Sequence, residues 1–269
     1  IEAYEDTSKR PFRGLYPGVF TQRTYDLDLF TIAGSVAKKS EIPLLHRMYG
    51  KGVIPLIIDA VRRRILKYIF KQRAQELYFS KYEPSYLSLG PNAYLDGFYQ
   101  SPKYFEHIAD IIRKDLTLRA PLPEHIERFI ETEIRSGETV GVFVRRADFI
   151  GNKDYEFVDN EYYRAGLEYI ATRASVEKIY VCSDDIEWCK EHLSFPYPTV
   201  FGEKQYAGDR FVGELIALSA CKHFIIPNST FGWWGAWLAS NPGKIVVAPN
   251  YWFKGTDIND VIPSEWKIL

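Results

Sequence analysis

Cysteine and methionine are scarce in this sequence. Its 269 residues include three cysteines, Cys182, Cys189 and Cys221, whose odd number and spacing fit neither a disulfide framework nor a zinc site. We therefore expect reduced thiols and a cytoplasmic protein. Met48 is the only methionine and the chain starts with Ile1, so we expect further residues to precede it in the natural protein.

Long apolar runs and the common nucleotide motifs are missing as well. The longest apolar run, residues 53–61, contains Pro55 and Asp59 and is too short to span a membrane. The sequence has neither a Walker loop nor a glycine-rich dinucleotide fingerprint, so nucleoside triphosphate and nicotinamide functions lose their main support. The net charge of -1 gives no reason to expect a nucleic acid partner. Aromatic residues are plentiful at 16%, as in many sugar-binding clefts, although most should belong to the core.

Apolar periodicity predicts an α/β fold with a parallel sheet in the second half of the chain. Predicted strands at 140–145, 178–182, 223–226 and 244–247 alternate with helices at 161–172, from 185, at 210–221 and from 230. A linker-like stretch at 120–123 starts one more helix, which ends at Ser136 and Gly137. The predicted domains are therefore residues 1–136 and 137–269.

The stretch from Asn228 to Leu238 predicts a strand that runs into a helix. Pro227 ends the strand, Ser229 or Thr230 can cap the helix, and three tryptophans follow at helical spacing. A helix N-terminus here would favour phosphate. Taken alone, an ordinary capped core helix explains the pattern better.

Polar residues follow three of the predicted strands. They are Arg145-Arg146-Ala147-Asp148, Ser183-Asp184-Asp185 and Asn228-Ser229-Thr230. Parallel strands end at the same edge of a sheet, where ligands bind, so these groups should converge. Two arginines and a helix N-terminus suit a diphosphate, whereas adjacent carboxylates suit a metal, a sugar or the N–H edge of a purine.

Two features of the N-terminal half give weaker indications of function than the strand ends do. Residues 94–100 predict a short strand in which Gly97 allows close approach of a ligand, and Asp96, Tyr99 and Gln100 could hydrogen-bond sugar hydroxyls. Residues 54–70 predict an amphipathic helix with basic side chains opposite its apolar stripe. A solvated packing helix is the favoured interpretation, and contact with anionic lipid at the inner membrane face is the alternative.

These motifs resemble the inverting α1,2-fucosyltransferases of glycosyltransferase family 11. Residues 228–238 resemble the family's SNSTFSWWGAWL, and residues 183–190 resemble its SDDIEWVK. Residues 94–105 resemble YLQGYWQSEKYF, and residues 25–30 resemble a YELxxF segment. The resemblance extends over most of the chain.

The resemblance implies a GT-B-like fold of two Rossmann-like domains that face a cleft, the N-terminal one apparently incomplete here. It implies GDP-L-fucose as the donor, a galactose-containing glycan as the acceptor, inversion of configuration and no metal cofactor. Arg145 would hold the β-phosphate and stabilise the departing GDP, with Asp148 as the second catalytic candidate. Ser229 and Thr230 would bind phosphate oxygens, while Asp184 or Asp185 would accept from guanine N–H groups and the other would cap a helix. The remaining implied donor-site residues are Phe143, Arg146, Ser183, Asn228 and Phe231, and those on the acceptor side are Asp96, Gly97, Tyr99 and Gln100.

Two departures from the family pattern leave alternatives open. The family's HVRRGDY stands here as residues 143–149, where Phe143 replaces the histidine and either packs beside the nucleotide or weakens its binding. The family's opening GGLGNQMFQY segment is absent, and we expect it to belong to the missing residues. The alternatives are a fucosyltransferase that makes another linkage and a relative that binds a glycan or nucleotide without turnover. Arg145 and Asp148 could also form a structural ion pair. Asp96 is a candidate for the general base.

Overall fold

The computed structural model describes residues 25–36, 73–75, 81–90, 93–146, 149–150, 158–253 and 257–269. The chain divides into two compact units, Ile1–Arg119 and Ala120–Leu269. This division places the helix predicted after the linker in the second unit. The predicted basic helix at 54–70 lies outside the described residues, as does Asp148.

The described residues of the first unit form a small parallel sheet and one α-helix. Strand β1, Arg73–Gln75, pairs with β2, Tyr94–Asp96. The predicted strand at 94–100 is therefore shorter than expected, because Tyr99 has a left-handed backbone with φ of 51°. Two 3₁₀ turns, Pro102–Tyr104 and Glu106–Ile108, lead into α1, Ala109–Asp115.

The second unit is an α/β layer structure, as its sequence predicts. Its first helix, α2, spans Glu124–Phe129 and continues into a π-helical turn, Ile130–Ile134. The strands are β3 Thr139–Val144, β4 Lys178–Ser183, β5 Thr199–Phe201, β6 His223–Ile225, β7 Val246–Ala248 and β8 Lys267–Ile268. The remaining helices are α3 Asn160–Ala171, α4 Ile186–His192, α5 Val212–Ser219, α6 Thr230–Leu238 and α7 Ile258–Val261.

All six strands are parallel, in the order β5-β4-β3-β6-β7-β8. Strand β3 is central and every one of its residues is buried, which explains its continuous apolar run. Val144 pairs with Ser183 of β4, and Val142 pairs with Ile225 of β6. The polar segments that follow β4, β3 and β6 therefore lie side by side at one edge of the sheet, called here the carboxyl edge.

The tryptophans of α6 belong mainly to the core of the second unit. Trp233 and Trp237 are buried and stack at a centroid distance of 6.0 Å, and the Trp233 indole N–H donates to the Val261 carbonyl. Glycine allows close packing between neighbouring helices, because a Cβ on Gly235 would lie 2.5 Å from Leu218 of α5. Among the helices that the structure describes, none has the length and apolar character needed to cross a bilayer.

Candidate functional site

Arg145 follows β3 directly and is held by Asp184, which follows β4. Their side chains form an ion pair of 3.1 Å at the carboxyl edge, and each is about one-fifth exposed. The Arg145 guanidinium also lies 5.8 Å from the ring centre of Phe149. The guanidinium carries five donors in a planar fork, so Arg145 can hold an anion while Asp184 orients it.

Arg146 is directed to a different set of partners. Its backbone N–H donates to Asp184 at 2.8 Å, and its side chain donates to Asp185 at 3.2 Å. The guanidinium lies 3.5 Å from the ring centre of Trp188, a cation–π contact. The contacts with Asp185 and Trp188 attach the chain after β3 to α4.

Both aspartates that were predicted to accept from guanine have structural partners. Asp185 caps α4 by accepting from the Trp188 N–H, and its own N–H donates to the Ser183 hydroxyl at 2.9 Å. Asp184 accepts from both arginines. The prediction that one of the two serves as a helix cap therefore applies to Asp185. Both carboxylates therefore accept from neighbouring residues at the carboxyl edge.

The N-terminus of α6 is the third component of the carboxyl edge. Ser229 is buried at the N-cap position, and in the described part of the chain its hydroxyl makes no capping bond. Thr230, the first helical residue, is exposed. Asn228 is buried and donates to the Trp252 carbonyl at 2.8 Å, which ties the strand end to the chain after β7. The uncapped N–H groups of this helix favour an anion.

Phe143 lies in the core beneath this edge. It is buried and contacts Phe231 at a centroid distance of 4.9 Å, and a Cβ on Gly232 would lie 3.0 Å from its ring. The phenyl ring therefore fills the space between β3 and α6 and supports the phosphate-favouring helix start from below.

Glu214 is a buried acidic residue that no sequence motif indicates as part of the site. It lies in the first turn of α5 and is only 7% exposed. Burial, together with the nearby charge of Asp184, raises the pKa of its carboxyl to about 7. Such a shift at the carboxyl edge is typical of functional sites. The sequence shows Glu214 as an acidic residue within an otherwise apolar helix. Because acidic residues are common in the first turn of helices, this pattern alone does not indicate a functional residue.

The acceptor-side candidates belong to the first unit. Gly97 is exposed, and Tyr99 and Gln100 are half-buried. The Tyr99 ring contacts Tyr86 and Tyr104 at 5.9 and 5.7 Å, so its strained backbone is fixed within an aromatic cluster. Asp96 ends β2, and its side chain lies outside the described part of the structure.

Within the described ranges, no three His, Cys, Asp or Glu side chains are grouped so that they could hold a metal ion. The adjacent Asp184 and Asp185 accept from arginines instead.

Comparisons with known proteins agree with the motifs at the carboxyl edge. The chain is 30% identical over 63% of its length to an α-1,2-colitosyltransferase of Escherichia coli, covering 60% of that protein. It is 31% identical over 49% of its length to the E. coli O-antigen biosynthesis glycosyltransferase WbnK, covering 44% of it. It is also 28% identical over 65% of its length to human galactoside α-(1,2)-fucosyltransferase 1, covering 50% of it.

The chain thus spans about half the length of the curated relatives that it matches. The model of glycosyl transferase family 11 matches residues 54–267, which include every strand of the second unit except the last residue of β8. This chain belongs to glycosyltransferase family 11.

Proposed function

We propose that this protein transfers L-fucose from GDP-β-L-fucose to the 2-hydroxyl of a β-galactoside within a glycan, with inversion to an α-1,2 linkage. The observation that carries the proposal is Arg145, oriented by Asp184 beside the uncapped N-terminus of α6. A fixed cation and a helix N-terminus at one edge suit the diphosphate of a nucleotide-sugar donor.

The reaction needs charge stabilisation on the leaving group. The acceptor oxygen forms a bond to the anomeric carbon while the bond from that carbon to the β-phosphate oxygen breaks, and the hydroxyl proton passes to a base. Negative charge grows on GDP as it departs. Arg145 and the N–H groups of α6 would stabilise this charge, and an oriented donor of this kind contributes about 3 kcal/mol to lowering the barrier. Asp96 stays a candidate for the base.

We propose that no metal takes part. Asp184 and Asp185, the adjacent carboxylates at the carboxyl edge, accept from Arg145 and Arg146. The guanidinium of Arg145 would then provide the positive charge that a divalent cation provides in other transferases. Activity that is unchanged by a chelator is the expected result, and activity that disappears and returns on adding Mg²⁺ or Mn²⁺ would overturn this part of the proposal.

A second donor follows from the relatives. One of them is named an α-1,2-colitosyltransferase, and colitose is a 3-deoxy analogue of fucose. The family fold does not select between the two sugars. GDP-fucose and GDP-colitose therefore belong in the same assay, with a β-galactoside as the acceptor and NMR of the product to assign the linkage.

Calorimetric titration of the 269-residue chain with GDP and GDP-fucose, in the presence of a chelator, tests the donor site. We expect Arg145→Ala to weaken binding by at least about tenfold, because it removes a charge-assisted contact. Arg135→Ala is the matched control, since this exposed arginine pairs with Glu131 before β3, at the opposite edge of the sheet. Equal affinity in all three proteins would exclude Arg145 from the site. If the product has a linkage other than α-1,2, the proposed donor site still stands and the proposed acceptor hydroxyl is wrong.

A further inference from the structure

The loop before α5 has an unusual backbone. Gly208, Arg210 and Phe211 all have positive φ, at 70°, 49° and 63°. The loop is closed by the N–H of Gly213, which donates to the Ala207 carbonyl at 2.7 Å. A Cβ on Gly213 would lie 2.3 Å from the Tyr206 carbonyl oxygen, so only glycine fits there.

The closed loop directs a phenyl ring into solvent. Phe211 is the N-cap residue of α5 and is 62% exposed. Two consecutive non-glycine residues in the left-handed region are energetically costly, and an exposed phenylalanine gains nothing from burial in return. Strain of this kind concentrates at ligand-binding sites.

Phe211 lies at the same edge of the sheet as the proposed phosphate site. Helix α5 connects β5 to β6, so its N-terminus is at the carboxyl edge together with Arg145 and the start of α6. Three residues further along, Glu214 faces β4, since burial and then the Glu214 charge raise the pKa of the Cys182 thiol.

The carboxyl of Glu214 is a buried acceptor. Among the described residues, no side chain donates to its carboxyl, although Glu214 is only 7% exposed. A buried carboxylate of this kind normally has donors. Asp184 and Asp185, two other acidic residues at this edge, accept from Arg145, Arg146 and backbone N–H groups.

We propose that Phe211 and Glu214 form the nucleobase subsite of the donor, in which the guanine ring stacks on Phe211 and its N1–H and exocyclic N–H donate to the Glu214 carboxylate. This inference rests on the proposed GDP-sugar donor. It moves guanine recognition from Asp184 or Asp185, as the sequence predicted, to the start of α5.

The chemistry of the two side chains is complementary to guanine. A phenyl ring offers a flat apolar face to any base. An ionised carboxylate only accepts hydrogen bonds, so it suits the two adjacent donors of guanine and not the N1 acceptor of adenine. Burial and the Asp184 charge raise the pKa of Glu214 to about 7, and two N–H donors from a bound base would favour its charged form.

Titrations with GDP and ADP test the subsite. We expect Phe211→Asn to weaken GDP binding about tenfold or more, because base–aromatic stacking is lost while asparagine still tolerates the left-handed backbone. Phe211→Tyr keeps the ring and should stay within about threefold of the wild type. Glu214→Gln should reduce the preference for GDP over ADP, because its amide can both donate and accept. Thermal melting of each variant checks that it is folded.

Several outcomes would overturn the inference. If Phe211→Asn binds GDP like the wild type while Arg145→Ala does not, the base lies elsewhere and the proposed donor function still stands. If Phe211→Asn and Phe211→Tyr weaken GDP binding equally, Phe211 serves only to hold the loop before α5. Equal losses for GDP and ADP in Glu214→Gln would make that residue structural. If the wild-type chain binds neither GDP nor GDP-fucose, the subsite and the proposed function both fail.

Discussion

The acidic residues at the carboxyl edge have different environments although they lie close together. Asp184 and Asp185 accept from arginines and from backbone N–H groups. Glu214 is buried, with Asp184 as a negative neighbour, and both effects favour its protonated form. One edge of the sheet thus holds two carboxylates paired with arginines next to a carboxyl that changes its charge near neutral pH.

Glu214 should make the stability of the protein depend on pH. Its pKa is about 7 in the folded protein and 4.5 in a model peptide, so folding takes up a proton between these values. The free energy of unfolding should fall as pH rises through this range, by up to about 3 kcal/mol, and level off above it. Glu214→Gln removes this contribution, so its stability relative to the wild type should increase over the same window.

Urea unfolding of both proteins at several pH values between 4.5 and 8 measures this effect. Glu131→Gln is a suitable control, since it neutralises an exposed glutamate of the same unit, and its pH profile should follow that of the wild type. Parallel profiles for the wild type and Glu214→Gln would show that Glu214 titrates normally in the folded protein.

At the scale of single elements, α6 depends on glycine for its packing. A methyl group on Gly235 would lie 2.5 Å from one Leu218 methyl and 2.8 Å from its Cγ, and Leu218 is fully buried in α5. Gly235→Ala should therefore destabilise the second unit by about 1–2 kcal/mol, because overpacking outweighs the better helix propensity of alanine.

The melting temperature of Gly235→Ala tests this packing. Gly34→Ala is the control, because its added methyl would have Ile32 as its nearest neighbour at 3.9 Å. Adding Leu218→Ala to Gly235→Ala should recover part of the loss, since the shorter side chain makes room for the new methyl. A Gly235→Ala variant as stable as the wild type would mean that α5 and α6 can move apart without cost.

Sequence patterns predicted the long elements of the second unit well. The predicted strands at 140–145, 178–182 and 223–226 match β3, β4 and β6 closely, because buried parallel strands have continuous apolar runs. Strands β5 and β8 were missed, because their residues are only partly buried and they lack the continuous apolar runs of β3, β4 and β6. Phe211 was placed inside a predicted helix at 210–221, whereas the helix begins at Val212.

The candidate site was predictable only in part, for a similar reason. Strand ends identified Arg145, Asp184 and Ser229, because the carboxyl edge of a parallel sheet follows from strand order alone. The partners of these residues depend on side-chain directions that a sequence does not show. The burial of Glu214 likewise depends on how α5 packs against β4, a contact between distant parts of the chain.

At the scale of the whole molecule, the proposed donor chemistry belongs to one of the two units. Arg145, Glu214 and the start of α6 all lie in Ala120–Leu269. The acceptor-side candidates Gly97, Tyr99 and Gln100 lie in Ile1–Arg119. Donor and acceptor specificity should therefore respond to substitutions in different parts of the chain.

The three cysteines give a way to follow the second unit alone. Cys182, Cys189 and Cys221 are the only thiols in the sequence, all three are buried, and burial raises the pKa of each. An alkylating reagent should therefore modify them only when this unit opens. We expect saturating GDP to slow their modification. Mass spectrometry of labelling time courses would then report opening rates for one half of the molecule without any engineered probe.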